Sequence, residues 1–400
     1  MSLQKSLLDQ DKLTDTVLDT IISLILAALA IYIFVIFLAL TGNQIIFDGF
    51  FTNIFTVYFT NPSRIGNVLY WATPLILTAL AVAIAFQAGL FNIGGQGQMA
   101  LGGVFTAAWG AVIIKNLYRS TKLTILYSPL FLIPTSLLIG FIAGAIFGFI
   151  PGWLKAKTGA HEVITTIMLN QIASSVVKYL VGSSEYSPFI SQSQYGYSQT
   201  DPINEGARLG KIFNSSDNYL HWGFLISLLV LLIIHIVIYR TNFGFQLRAV
   251  GFNKEAAEAA GINSDRMIIY AMTLSGGVAG LAGATFIMGT YPYKYFVDFQ
   301  GTLGFDGIAV SLIAQNSPLG IAIAAIFFGY LTQTQTNLSV TQIPGDLIFV
   351  FQAWVIIFAV APNLSRMIYH RKKRIAAEEQ EARASEESDS SEPETKEELI

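Results

Sequence analysis

The chain has 400 residues, of which 53% are hydrophobic and only 12% are charged. Soluble domains usually carry about a quarter charged residues, so the composition excludes an ordinary water-soluble protein. The net charge of −3 combines an acidic segment at 378–400 with a net positive remainder, and cysteine is absent. The lack of cysteine excludes disulfides, thiolate metal sites and cysteine nucleophiles.

The first predicted element is a membrane helix at residues 21–40. This segment, IISLILAALAIYIFVIFLAL, contains no charged residue, glycine or proline. At ~1.5 Å per residue it is long enough to cross the ~30 Å hydrocarbon core. A cleaved signal peptide would have a shorter apolar core and a basic start, whereas four aspartates precede this one. We expect a cytoplasmic segment at 1–19 and a retained transmembrane helix after it.

Apolar windows predict about ten transmembrane helices within one membrane domain at 20–362. The window at 303–316 is short for a crossing, and the one at 161–181 has charged ends. The expected fold is an all-α polytopic membrane protein. The predicted spans are 20–41, 67–89, 95–114, 129–150, 161–181, 220–239, 267–290, 303–316, 318–335 and 344–362.

Lysine and arginine in the short loops predict the orientation. Lys155 and Lys157 mark one cytoplasmic loop, and residues 240–266 carry four more cations. The basic run at 366–374 places the tail, 363–400, in the cytoplasm, and its acidic end has the composition of a disordered segment.

The same topology makes residues 182–219 an outer loop, either an ordinary connection or a surface for a partner. It also places Lys115, Arg119 and Lys122 outside, against the general rule.

The sequence contains no complete enzyme motif. HEVIT at 161–165 lacks the second histidine of a zinc protease site, and the P-loop-like GARLGK at 206–211 is one residue too short between its glycines. We therefore expect no catalytic site in this chain, and no metal and no cofactor bound by it.

Residues 248–266, RAVGFNKEAAEAAGINSDR, predict a short capped helix between two apolar spans. Asn253 is a favourable N-cap, Glu255 suits the first turn, and Gly261 suits the position after the helix. About seven residues are too few for a stable isolated helix, so packing against its own membrane helices or against a partner must hold it. The alternative is a plain surface helix. The candidate contact residues are Gly251, Asn253, Glu255, Ala256, Ala257, Ala260 and Gly261.

The segment FNIGGQGQM predicts a break in the helix between 91 and 103. Unpaired backbone amides in hydrocarbon are tolerated only against protein or water, so such a break favours a pathway. Asparagine and glutamine donate and accept hydrogen bonds, which suits a neutral solute. Packing by small residues is the alternative, which we favour for Gly102 and Gly103. The candidate pathway residues are Asn92, Gly94, Gly95, Gln96 and Gln98.

Two further sites carry polar residues at membrane depth. Asp306 begins a short apolar segment and either lines the pathway or, as we favour, caps its helix. Glu162, Thr166 and Asn170 are spaced four apart and share one helical face, which either lines the pathway or joins helices.

The topology also predicts inverted repeats. Spans two to five begin outside and spans seven to ten begin inside. Each set has a glycine-interrupted second member, at 91–103 and 301–320. Inverted repeats with two interrupted helices are a recurring plan of transporters.

Four segments of 65–362 resemble ATP-binding-cassette (ABC) importer permeases of the simple-sugar and nucleoside family. The longest is GFQLRAVGFNKEAAEAAGINSDRMIIYAMTLSGGVAGLAGA; the others are FNIGGQGQMALGG, GAHEVITTIMLN and GFDGIAVSLIAQNSPLG.

The resemblance implies a permease of the cytoplasmic membrane that carries nucleosides, or alternatively simple sugars. It implies a cytosolic ATPase that docks on the 251–261 helix and uses the ATP. It further implies a second permease subunit, either identical or, as we favour, different, and an extracytoplasmic substrate-binding lipoprotein, but no nucleic acid. An ion-coupled secondary transporter is the rival class, for which only Asp306 is a plausible proton carrier.

Overall fold

The computed structural model describes residues 63–182, 187–191, 198–213 and 217–340, with isolated positions at 25–36, 52 and 349–357. Several predicted segments lie outside it, wholly or except for those positions. They are 1–19, 20–41, 344–362 and 363–400.

Within the described residues all long elements are helices, and six of them are long and apolar enough to cross a membrane. The predicted all-α polytopic membrane fold is thereby confirmed. The helices are α1 (Ser63–Gln87), α2 (Gly95–Ala108), α3 (Ile114–Thr121), α4 (Pro129–Thr158), α5 (Glu162–Val181), α6 (Gly223–Arg240), α7 (Asn242–Phe252), α8 (Lys254–Ala259), α9 (Ser264–Gly289), α10 (Leu303–Ile313) and α11 (Pro318–Val340).

The predicted span at 161–181 is confirmed as one helix, α5. The segment 240–266 is mostly helical, since α7 and α8 both lie in it. Thr241 caps α7 by accepting a hydrogen bond from the Gly244 amide at 3.2 Å. A π-helical turn at Trp109–Ile113 joins α2 to α3.

Glycines bring α4 and α9 into backbone contact. A Cβ added to Gly144 would lie 2.2 Å from the Gly276 carbonyl oxygen, and one added to Gly148 would lie 2.9 Å from the Gly276 Cα. A Cβ added to Gly280 would likewise lie 2.2 Å from the Gly140 carbonyl oxygen. Small residues spaced four apart allow this approach, which membrane helices use in place of a hydrophobic driving force.

The packing prediction for Gly102 and Gly103 is confirmed. A Cβ on Gly102 would lie 2.3 Å from the Gly280 oxygen, and one on Gly103 would lie 2.7 Å from the Phe299 ring. These two glycines of α2 therefore hold the helix against its neighbours.

The helix packing repeats between the two halves of the described chain. Helix α1 packs against α10 and α11, while α9 packs against α2 and α4, and α1 and α9 pack against each other. The two halves therefore correspond helix by helix: α1 to α9, α2 to α10 and α4 to α11. If each helix is replaced by its counterpart, the same pairs of helices remain in contact, as the predicted inverted repeats require.

The bundle has two distinct ends. At one end, Ala85 and Ala88 of the α1 terminus pack with Ala257 of α8 and Met267 of α9. At the other, Asn204 donates to the Gly110 carbonyl at 2.9 Å. We call these the α8 end and the loop end. The predicted outer loop and the capped helix thus lie on opposite faces.

Candidate functional site

Helix α8 forms the capped helix that the sequence predicts. The Asn253 side chain accepts a hydrogen bond from the Ala256 amide at 2.9 Å, and Glu255 lies in the first turn. Gly261 follows the helix with a φ of +83°, a left-handed conformation that glycine adopts without strain. The helix has six residues, one fewer than expected.

One face of α8 packs against its own chain. Ala257 is 4% exposed and lies in the apolar cluster at the α8 end, so it is not available to a partner. Glu255, Ala256 and Ala260 are exposed. The membrane helices therefore hold α8 in place while its other face remains open to contact.

The segment leading to α8 touches the turn between α1 and α2. A Cβ on Gly251 would lie 2.3 Å from the Gln87 oxygen, and one on Gly89 would lie 3.1 Å from the Gly251 oxygen. Gly89 has a φ of +70°, so it is the residue that lets the chain turn after α1. Movement of Gly251 would therefore press directly on this turn.

Ion pairs join α8 to α9, α9 to α4, and α4 to α5 at this end of the bundle. Asp265 of α9 lies 3.7 Å from both Lys254 of α8 and Lys157 of α4. Lys155 of α4 pairs with Glu162 of α5 at 2.9 Å. Glu162, a pathway candidate, is thus held at the α8 end of the bundle. Each exposed pair contributes roughly 0–1 kcal/mol, so these pairs orient the helices more than they stabilise them.

Replacing Asn253 with alanine should loosen α8 without unfolding the bundle. Loss of an N-cap destabilises a helix by about 1 kcal/mol, whereas the Ala257 packing remains. Hydrogen–deuterium exchange of residues 254–260 should accelerate several-fold. Asn263→Ala, which removes the equivalent cap of α9, is the matched control and should leave α8 protected. Unchanged exchange of α8 in Asn253→Ala would mean that the cap does not hold it.

The predicted break is shorter than expected and lies at 88–94, since α2 begins at Gly95. Asn92 secures it: its amide donates to Ser275 at 2.7 Å and to the Gln98 Oε1 at 2.8 Å, and its oxygen accepts from the Gly94 amide. Asn92 and Gln98 are 0% and 2% exposed. In this conformation Asn92 fastens the break to α9, and Gln98 holds the Asn92 side chain in place.

Gln96 connects the start of α2 to the start of α10. Its Nε2 donates to the Gly301 carbonyl at 2.5 Å, and its Oε1 accepts from the Gly304 amide at 2.9 Å. A Cβ on Gly95 would lie 3.7 Å from the Gly304 oxygen. The Thr78 hydroxyl, well inside α1, donates to the Leu303 carbonyl at 3.2 Å. The starts of α2 and α10 therefore meet inside the bundle.

Asn170 joins α5 to this region. Its amide donates to the Ile93 carbonyl at 3.0 Å, and its oxygen accepts from the Gly97 amide at 2.9 Å. Thr166 is fully buried, and its hydroxyl donates to the Glu162 carbonyl of its own helix. The polar face of α5 thus fastens helices together in this conformation.

The capping role predicted for Asp306 is wrong. Asp306 is the fourth residue of α10, whose N-cap is Thr302, and no side chain caps the helix. Its carboxylate instead accepts from the Thr302 hydroxyl at 2.8 Å. The carboxylate remains in the first turn, where the helix dipole favours a negative charge.

Several residues of this site were not predicted. Ser275, Thr78, Thr302 and Gly89 complete the contacts, but each is a common residue inside an apolar segment. Only Gly89, directly after the last residues of an apolar helix, carries a signal that could have been noticed.

Two helices whose starts meet inside a bundle of membrane helices, with an exposed short helix packed at one end of that bundle, are the arrangement of a membrane transport permease. The chain belongs to the family described as the permease component of the branched-chain amino acid transport system, whose family model matches residues 64–360.

Three relatives with assigned roles are ABC permeases. The chain is 35% identical over 318 residues to the nucleoside ABC transporter permease protein NupB of Lactococcus lactis, covering 79% of this chain and 84% of that protein. It is 34% identical over 342 residues to the guanosine ABC transporter permease protein NupP of Bacillus subtilis, covering 84% and 90%. The glucose ABC transporter permease protein TsgB13 of Haloferax volcanii is 29% identical, with 77% and 78% covered. No solved structure matches the chain.

Proposed function

We propose that this chain is the permease subunit of an ATP-driven importer that carries nucleosides across the cytoplasmic membrane. The family membership and the 34–35% identity to two permeases named for nucleosides and guanosine support the solute class. Asparagine and glutamine around the starts of α2 and α10 suit a neutral heterocyclic solute, because they both donate and accept hydrogen bonds.

The observation that carries the mechanism is the path of contact from α8 to Gln96. A cytosolic ATPase docks on the exposed face at Glu255, Ala256 and Ala260, and that partner hydrolyses the ATP. Motion of α8 passes through Gly251 to the turn at Gly89 and so to the start of α2. Gln96 then leaves its partners on the α10 side, and the two helix starts separate to admit the solute.

The remaining pathway candidates surround this gap. Gly94, Gly95 and Gln96 line it from α2, and Asp306 lines it from α10. Asn92, Gln98, Thr166 and Asn170 hold its wall in the closed conformation, and Glu162 anchors α5 at the α8 end.

Two other subunits complete the importer. A second, different permease pairs with this chain, as suggested by the two permease names in one organism, NupP and NupQ in Bacillus subtilis. An extracytoplasmic substrate-binding lipoprotein delivers the solute to the loop end.

Uptake of radiolabelled guanosine and glucose by cells with and without this chain tests the proposal. We expect guanosine uptake that is lost when the partner ATPase carries a Walker-A lysine substitution and that survives a proton uncoupler during the first seconds. Glucose uptake alone would favour the sugar alternative, which the similarity to TsgB13 supports. Uptake stopped by the uncoupler but not by ATPase loss would indicate an ion-coupled transporter.

Gln96→Leu should lower guanosine uptake about tenfold while the complex still assembles. Leucine leaves the amide of the buried Gly304 unpaired, and an unsatisfied buried group costs about 1–3 kcal/mol. It also removes the exposed bond to the Gly301 carbonyl. Initial uptake rates and copurification of the ATPase measure the two effects. The exposed Gln171→Leu on α5 is the matched control. Equal uptake by both variants would reduce Gln96 to a packing residue.

A further inference from the structure

Helix α3, at the loop end, presents a basic flank and an apolar flank at the same time. Lys115 and Arg119 lie four residues apart on one side, and Lys122 follows the helix. All three are exposed. Among the residues that the structure describes, no carboxylate lies within 4 Å of any of these cations.

The apolar flank is exposed beside these charges. Ile113 and Leu117 are 39% and 38% exposed, and Leu123 and Ile125 after the helix are 54% and 63% exposed. The third face is fixed to the protein: Ile114 is fully buried, and the Tyr118 ring stacks on Tyr127 with 4.4 Å between centroids. Helix α3 is therefore held rigidly with two chemically different flanks turned outward.

The position of α3 along the bundle matches the lipid headgroups. Gly102 of α2 lies against Gly280, near the middle of α9. Lys115 follows Gly102 by 13 residues, which is about 20 Å along a helix. Half of a bilayer including its headgroups is also about 20 Å thick.

We propose that Lys115, Arg119 and Lys122 form a binding site for the phosphate of an anionic phospholipid in the membrane leaflet at the loop end. The apolar flank, with Leu117 and Ile125, enters the upper acyl region beside it. Cations next to exposed apolar side chains on an interfacial helix are the pattern of a lipid contact.

A cavity beside Lys115 provides room for a headgroup. Its volume is about 650 Å³, and it lies between the π-helical turn and the loop after α5. Tyr127, Asn204 and Asp201 supply its other polar lining, and the Asp201 carboxylate already accepts a hydrogen bond from the Ser191 hydroxyl. The site also explains why three cations lie on the outer side of the membrane, where short loops usually carry few lysines and arginines.

Lipid retention by the purified complex tests this site. The probe is phosphatidylglycerol, compared with phosphatidylcholine, each quantified by native mass spectrometry after reconstitution in mixed nanodiscs. We expect wild type to retain phosphatidylglycerol selectively and the Lys115→Gln/Arg119→Gln/Lys122→Gln variant to lose at least fivefold of that retention, since one cation near an anionic surface contributes about 1 kcal/mol.

Two control variants make the result decisive. Lys115→Arg/Lys122→Arg keeps the charges and should retain the lipid, which separates charge loss from misfolding. Lys178→Gln removes an exposed cation elsewhere and should behave as wild type. Equal retention of both lipids by wild type, or undiminished retention by the triple variant, would overturn the site. Loss of substrate-binding lipoprotein capture with retention intact would assign the surface to that protein instead and equally overturn it.

Discussion

Glu255→Lys should lower ATP-driven uptake at least tenfold, while the chain inserts and folds normally. Glu255 is exposed in the first turn of α8, on the face that the chain's own helices leave uncovered. A reversed charge at a docking surface is repelled by the partner groups that matched the original one, and such mismatches cost several kcal/mol. Capture of the ATPase by the tagged permease should fall in parallel with uptake.

Two controls separate docking from folding. Glu205→Lys makes the same change at an exposed glutamate of the loop end, and it should not alter ATPase capture. The melting temperature of Glu255→Lys should stay within about 2 °C of wild type, because its contribution to α8 is below ~1 kcal/mol. Normal ATPase capture by Glu255→Lys would remove this helix from the coupling surface.

Gly144→Leu should have the largest effect on stability. A Cβ at this position already lies 2.2 Å from the Gly276 carbonyl, so leucine forces α4 and α9 apart. Overpacking alone costs about 1–3 kcal/mol, and loss of the neighbouring backbone contacts adds to it. We expect a melting temperature lowered by roughly 5 °C or more and several-fold less protein in the membrane, as measured by fluorescence-detected size-exclusion chromatography.

Ile146→Leu is the control for the same helix, because Ile146 is 57% exposed and points away from α9. It should match wild type in both measurements. A Gly144→Leu protein as stable as this control would show that the close approach of α4 and α9 does not stabilise the bundle.

The membrane fold and α8 were predictable because their signals are local. Hydrophobic length predicts a span without knowledge of its neighbours. The cap at Asn253 and the turn at Gly261 each depend on a few adjacent residues.

The long-range contacts were not predictable from single segments. Gln96 forms hydrogen bonds with Gly301 and Gly304, which lie more than 200 residues away in the sequence. No pattern of hydrophobic residues along the sequence indicates that these residues meet. The error at Asp306 has a local cause: the helix begins at Leu303 rather than at the aspartate, and boundaries are the least certain part of a sequence prediction. The extent of the break at 88–94 was misjudged for the same reason, since glycines at the start of α2 remain helical.

Site-specific labelling of α8 tests the central claim most directly. The chain contains no cysteine, so Ala256→Cys introduces a unique thiol on the exposed face and Ala257→Cys places one on the buried face. In inside-out vesicles a membrane-impermeant maleimide should label Ala256→Cys but not Ala257→Cys, and bound ATPase should protect it and crosslink to it. Labelling of Ala256→Cys from the outer side, or no ATPase at this residue in the intact complex, would contradict the account.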